Sequence, residues 1–143
     1  MTSISEIVPK FRRAIGDAET PYSYTDNALT EYIEDSIDQS QLEWSHDYVV
    51  DRDAHTVTID VILAHQMFFV IYSKLEMLKR QPDVSFRSGS LNVTRKSDNK
   101  KLLQKKVDEI ISNLIMLDGV AVTNTELDQY ANRLENWVYI ETL

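Results

Sequence analysis

The chain has 143 residues, with 15 Lys+Arg against 23 Asp+Glu, a formal net charge of −8, and no cysteine. One domain's worth of length and 43% hydrophobic residues support a real core and exclude collagen-like, low-complexity and mainly disordered chains. The missing cysteine excludes a disulfide framework, a thiolate metal site and a Cys nucleophile, and the acidic excess argues against free duplex DNA as a ligand.

The opening residues Met1 to Glu6 carry neither a basic n-region nor a long apolar stretch, so no signal peptide is expected. Ser3 and Glu6 stand at capping-box spacing. Ile4, Ile7, Val8, Phe11 and Ile15 recur at helical spacing, which predicts a short amphipathic helix over 4–15. Pro9 kinks that helix or delays its start, and Gly16-Asp17 ends it. A polar loop with Pro21 follows. Thr25 or Asp26 caps a second helix whose apolar stripe is Ala28, Leu29, Tyr32, Ile33 and Ile37, extended by Trp44. Glu31, Glu34, Asp35 and Asp38 fall on its other face, which calls for solvent or a basic partner.

Tyr48-Val49-Val50 and Thr56-Val57-Thr58-Ile59 are short, β-branched runs around the turn-like Asp51-Arg52-Asp53-Ala54, the pattern of a small hairpin. Asp60 is then expected to cap a helix of about 20 residues that is apolar nearly all round and therefore central. Its apolar stretch, Val61 to Tyr72, is interrupted by His65 and Gln66 and falls short of the ~20 residues that span a bilayer, so a soluble protein without membrane contact is expected. Pro82 stops this helix. Val84 to Thr94 alternates apolar and polar residues around Ser88-Gly89-Ser90, as an extended loop or hairpin does. Ser97 or Asp98 opens a helix with the stripe Leu102, Leu103, Val107, Ile110, Ile111, Leu114 and Ile115, closed by Asp118-Gly119. Thr123 and Glu126 repeat the capping-box spacing. Leu127, Tyr130, Ala131, Leu134, Trp137 and Val138 then form the face of a last amphipathic helix, suited either to the chain's own core or to a partner's groove. The fold class expected is mainly α: a small helical bundle around a long buried central helix, with a short β-hairpin or extended loop and a C-terminal amphipathic arm. The division expected is a helical core over 1–119 and an arm or docking helix over 120–143.

Charge is unevenly placed. Residues 17–60 hold twelve acids and one base, Arg52, and residues 61–117 hold ten bases and five acids. Either the two halves pair within the chain or are simply solvated faces, or one copy's acidic face, with Glu31, Glu34, Asp35 and Asp38, meets the next copy's basic one, with Lys100, Lys101 and Lys105. Asp51, Asp53 and His55 alternate as metal ligands on one strand side would. They lack the glycine and terminal Glu of a calcium loop, so a polar turn is the simpler reading and a metal-dependent hydrolase the rival. His65 reads as a core histidine. No phosphate-binding glycine loop, HExxH or GxSxG is present, and the basic run over 95–106 has no interleaved aromatics. Neither an enzyme nor a cofactor is expected.

The order of parts resembles a known family. The stretches "IVPKFRRAIGD" and "YSYTDNALTEYIEDSI", a short "YVVD…TVTID" segment, a long apolar helix and the loop "VSFRSGSLNVTR" are similar to the head–tail connector (adaptor, head completion) proteins of tailed phages. The likeness covers about residues 4–117 and is carried by Arg13, Asp17, Tyr24, Asp26, Leu29 and Gly89. It implies a non-enzymatic virion protein, made in the host cytoplasm and placed at the head–tail interface. It also implies a ring of about twelve copies, with portal protein on one side and tail or stopper protein on the other. DNA would pass through the lumen without sequence-specific binding. On this reading Val84, Phe86, Arg87, Gly89, Leu91, Val93 and Arg95 form a loop reaching a neighbouring subunit. Leu127, Tyr130, Leu134, Trp137 and Val138 form a partner-docking arm. The rival of a different class is a small acidic helical regulator or chaperone that binds a protein through its C-terminal helix.

Overall fold

Pro9 sets the start of the first α-helix. In the computed structural model, which describes residues 1–80, 100–113 and 124–140, Ile4–Glu6 is a 3-10 turn and α1 is Val8–Ala14, with Pro9 in its first turn. There the missing N–H has no intrahelical partner to lose. The expected helix over 4–15 is therefore split in two. Gly16, at φ 73°, closes α1 in the left-handed region. Asp17 N donates to Arg12 O (2.8 Å) and Gly16 N to Arg13 O (3.4 Å), the paired bonds of a Schellman ending. The Ser3–Glu6 capping box does not form: Ser3 makes no side-chain cap and its Oγ lies 2.8 Å from Ser5 Oγ. Ser3 is instead committed to a strand.

That strand, β1 (Thr2–Ser3), is an element the periodicity does not reveal. It pairs antiparallel with β3 (Thr56–Val57), which on its other side pairs with β2 (Val50–Asp51), giving the sheet order β1-β3-β2. The expected hairpin is thus present and gains a third strand, which an isolated two-stranded hairpin needs for stability. Asp51 Oδ1 organises the turn by accepting from Asp53 N (3.0 Å) and Ala54 N (3.1 Å).

Thr25 caps α2 (Asp26–Ser40) as expected, its Oγ1 accepting from Ala28 N at 3.1 Å. Leu29, Ile33 and Ile37 are fully buried, and Trp44 continues their stripe beyond the helix end. The central helix α3 (Leu63–Arg80) starts three residues after Asp60. Asp60 is not its cap, because its carboxylate takes the N-terminal ammonium of Met1 at 2.5 Å. Phe68, Phe69, Val70 and Ile71 are consecutive and all inaccessible, the mark of a helix surrounded by other elements. Ser36 of α2 and Ser73 of α3 share a hydrogen bond (2.7 Å) at their contact.

Residues 100–113 form a helix, α4, and Asn124–Ile140 forms α5. Leu103, Val107 and Ile110 of α4 join the same core as Leu134 and Val138 of α5. The helix α3 packs against α1, α2 and α5, so it is the axis of a mainly helical unit with the small sheet at one side. Among the described residues no helix is long and apolar enough to cross a membrane. The readings placed on Pro82, Ser97, Asp98, Asp118, Gly119 and Thr123 lie outside the described residues.

Candidate functional site

Three of the residues that carry the family likeness, Asp17, Tyr24 and Asp26, converge on one place. The Schellman ending of α1 turns Asp17 back onto the helix, so its carboxylate meets the guanidinium of Arg12 at 2.9 Å. Arg12 also donates to Tyr24 O (3.0 Å) and to Asp26 Oδ1 (2.6 Å), and it is only 6% exposed. Asp17 accepts in addition from Ser23 N (2.7 Å) and Tyr24 N (3.1 Å). The Ser23 backbone bond, followed by the Tyr24 bond and the Arg12 charge, holds the Asp17 carboxyl below its ordinary value against the effect of burial. Tyr22 lies under the guanidinium, whose centre is 3.8 Å from the ring centroid. Asp17, Tyr24 and Asp26 therefore meet on one charged node around the buried Arg12–Asp17 pair, with Asp26 at its solvent edge, and the node fixes the loop between α1 and α2. Its centre, Arg12, was not singled out in the sequence. The signal available was its place four residues before a Gly-Asp helix ending. Leu29 lies in the core beneath, while the next residue, Arg13, turns outward.

The acidic face of α2 divides in three. Glu31 is exposed and makes no ion pair among the described residues. Asp35 and Asp38 accept from Arg52 (3.1 and 2.5 Å), and Asp35 also meets Arg80 at 3.5 Å. Those bonds, the Asp38 one first, raise the Arg52 value. Glu34 does not share this surface: it is 2% exposed and bonded to His55 Nδ1 at 2.8 Å, with its second oxygen buried and unbonded among the described residues. His55 stands at φ 55° at the end of the hairpin turn. Asp51, Asp53 and His55 are thus used separately, Asp51 by the turn and His55 by Glu34. Among the described residues no group of three metal-ligating side chains comes together. On α4, Lys101 and Lys105 are exposed without ion pairs among the described residues, and Lys100 is partly covered.

The C-terminal face is engaged inside the chain. Leu134 and Val138 are buried in the common core, and Leu127, Tyr130 and Trp137 are half-buried. Asn113 donates to Tyr130 Oη (3.2 Å) and Lys106 Nζ lies 5.1 Å from the Trp137 ring centroid, so α4 and α5 are joined by polar contacts as well. Burial is the main cause that raises Tyr130, and it pushes Tyr139 up to about 12. The loop residues Val84, Phe86, Arg87, Gly89, Leu91, Val93 and Arg95 lie outside the described residues.

Two histidines sit in an aromatic cluster around Trp44. His46 Nδ1 accepts from Gln41 Nε2 (2.9 Å) and Tyr48 N (3.3 Å), which leaves Nε2 to carry the proton toward Ser40 Oγ at 3.0 Å. Burial lowers its value, in keeping with a neutral ring. His65 Nδ1 shares a hydrogen bond with Tyr48 Oη (2.6 Å) and its ring lies 4.6 Å from that of Trp44. Both are built into packing, as the core reading of His65 anticipated. Sequence reasoning passed over Lys74, which is buried on α3 with Nζ donating to Ala14 O (2.7 Å). Burial lowers its value to about 8. A cation amid an apolar run was the available signal.

No protein-family model, no curated protein and no solved structure matches the chain.

Proposed function

We propose that the chain is a structural virion subunit, a head–tail adaptor that assembles as a ring beneath the portal of a tailed phage. The single observation that supports this reading most is the Arg12 node. The family likeness was drawn from scattered residues, and Asp17, Tyr24 and Asp26 among them meet on one guanidinium. The joint depends on Arg12 and Asp17 together, because removing either leaves the other's buried charge without its main partner. The unbalanced charge fits the same reading. Glu31 on α2 and Lys101 and Lys105 on α4 are exposed and unpaired among the described residues, so opposed faces are available for head-to-tail contact between copies. An acidic subunit lining a channel repels phosphates, which lets DNA slide rather than bind.

The test is co-expression with the portal protein of the same genome, followed by electron-microscope imaging of the purified particles. The expected result is added ring density on one face of the portal. Absence of both a free ring and portal-bound density at all salt and protein concentrations tried would refute the assignment. A monomer in isolation is compatible with assembly on the partner alone.

A further inference from the structure

The acidic face of α2 is covered from within the chain. Arg52 is the single Lys or Arg among residues 17–60, and it stands at the tip of the hairpin. From there it reaches Asp38 (2.5 Å) and Asp35 (3.1 Å) on α2, while His55, at the end of the same turn, takes Glu34 at 2.8 Å. This cover fits poorly. Arg52 is flanked by Asp51 and Asp53, whose like charges oppose the approach to α2. His55 is held at φ 55°, a region that non-glycine residues avoid, and Glu34 Oε2 is buried without a hydrogen-bond partner among the described residues. Arg52, Asp35 and Asp38 are all partly exposed, so solvent screens their ion pairs and the tip is held weakly. The base of the hairpin is fixed independently: Val57 lies in the core and pairs with both Thr2 and Val50. The tip can therefore lift while the sheet stays.

We propose that the hairpin tip is an internal stand-in for a basic partner, and that the partner is α4 of a second copy, whose Lys101 and Lys105 displace Arg52 and pair with Glu31, Asp35 and Asp38. The chemistry of the occupant is read from what already sits there, a cation shared between carboxylates. On α4, Lys101 and Lys105 are exposed and make no ion pair among the described residues. They stand four apart, as Glu31 and Asp35 do on α2, so two helices laid together match turn for turn. Two lysines bring two charges where the tip brings Arg52 between two aspartates. Glu31, exposed and unpaired among the described residues, gains a partner only when copies meet. Arg80, 3.5 Å from Asp35 and stacked on the Tyr32 ring, stays in place, so Asp38 is the carboxylate most fully released. Head-to-tail assembly, the reading on which this rests, then has a built-in brake, because the tip must lift before copies join.

Equal mixtures of ¹⁴N- and ¹⁵N-labelled full chain are treated with a carbodiimide, which joins carboxylates directly to lysines in contact with them, and the linked peptides are mapped by mass spectrometry. Mixed-isotope links report contact between copies. The expected result is mixed links from Glu31, Asp35 or Asp38 to Lys101 or Lys105, roughly threefold more abundant in Arg52→Gln than in the wild type. The substitution makes the chain more acidic, so such a rise runs against general repulsion between copies. About 0.5 M salt should suppress the links in both proteins. No mixed links between these segments in either protein, or a yield in Arg52→Gln equal to or below that of the wild type, would overturn the inference. Should Arg52→Gln fail to fold, Arg52→Lys keeps the charge and loses the two-carboxylate grip, so it should give a smaller rise, and an unchanged yield refutes the cover. Equal yields would leave the head-to-tail contact standing without its brake. Ring density on the portal is read separately by imaging, so either idea can fail without the other.

Discussion

Replacing Lys74 by Met tests how a buried cation is held in the central helix. In the folded chain burial brings the Lys74 ammonium down from 10.5 to about 8. Between those values the unfolded chain binds more protons than the folded one, so stability rises with pH across that window and the cost of the buried charge is fully present below it. Worked through at about 1.4 kcal/mol per pH unit, this group alone makes the fold about 2–3 kcal/mol more stable at pH 10 than at pH 7. Met keeps the aliphatic stem and removes the charge. It also strands Ala14 O, which Lys74 now serves at 2.7 Å, at a cost of about 1–3 kcal/mol. These two effects oppose each other at neutral pH, so the difference in pH slope is the diagnostic quantity. Tyr72 and Tyr139, both raised to about 12, favour the unfolded chain only once free tyrosine ionises near pH 10, which leaves the range from 7 to 10 to the lysine. Urea unfolding followed by Trp44 and Trp137 fluorescence at each pH measures the effect. The wild type should gain stability on going from pH 7 to 10 relative to Lys74→Met. Parallel pH profiles for the two proteins would refute the reasoning.

Arg12→Ala removes the centre of the node and leaves Asp17 buried; a loss of about 3 kcal/mol or more is expected in the same unfolding assay. Because the Asp17 carboxyl is held below its ordinary 3.8, its contribution is present above that pH and is lost as acid carries the pH through the lowered value. Acid unfolding of the wild type should therefore lag behind that of Asp17→Asn, whose profile by circular dichroism should be flatter. Thr25→Ala removes the cap of α2 and should cost about 1 kcal/mol, against little change for Thr25→Ser. Trp44→Ala opens the aromatic cluster and should cost about 3–5 kcal/mol, with the His65 proton resonances losing the ring-current shift that a contact at 4.6 Å produces.

Where a segment is long enough to show its period, the sequence reading holds. The α2 stripe of Leu29, Ile33 and Ile37, the Thr25 cap and the apolar circumference of α3 are all present as the spacing predicts. Local turn chemistry is equally legible, as Asp51 shows. Short elements are not. Thr2–Ser3 has two residues and no measurable alternation, and only pairing with Thr56–Val57 makes it a strand. That pairing takes Ser3 out of its expected cap, and the N-terminal ammonium does the same to Asp60.

The sequence by itself determined the helical class, the central position of α3 and the separation of acidic from basic segments, because hydrophobic period and composition are local properties. Only the tertiary structure decided which charges are inside. Glu34 lies one position from Asp35 on the same helix, yet the hairpin covers Glu34 with His55 and leaves Asp35 to Arg52 at the surface. Arg12 and Arg13 are adjacent, yet one is buried among Asp17, Asp26 and Tyr24 O while the other stands outside on Tyr139. Burial of a charge depends on what a distant segment brings to it, and sequence spacing carries no record of that.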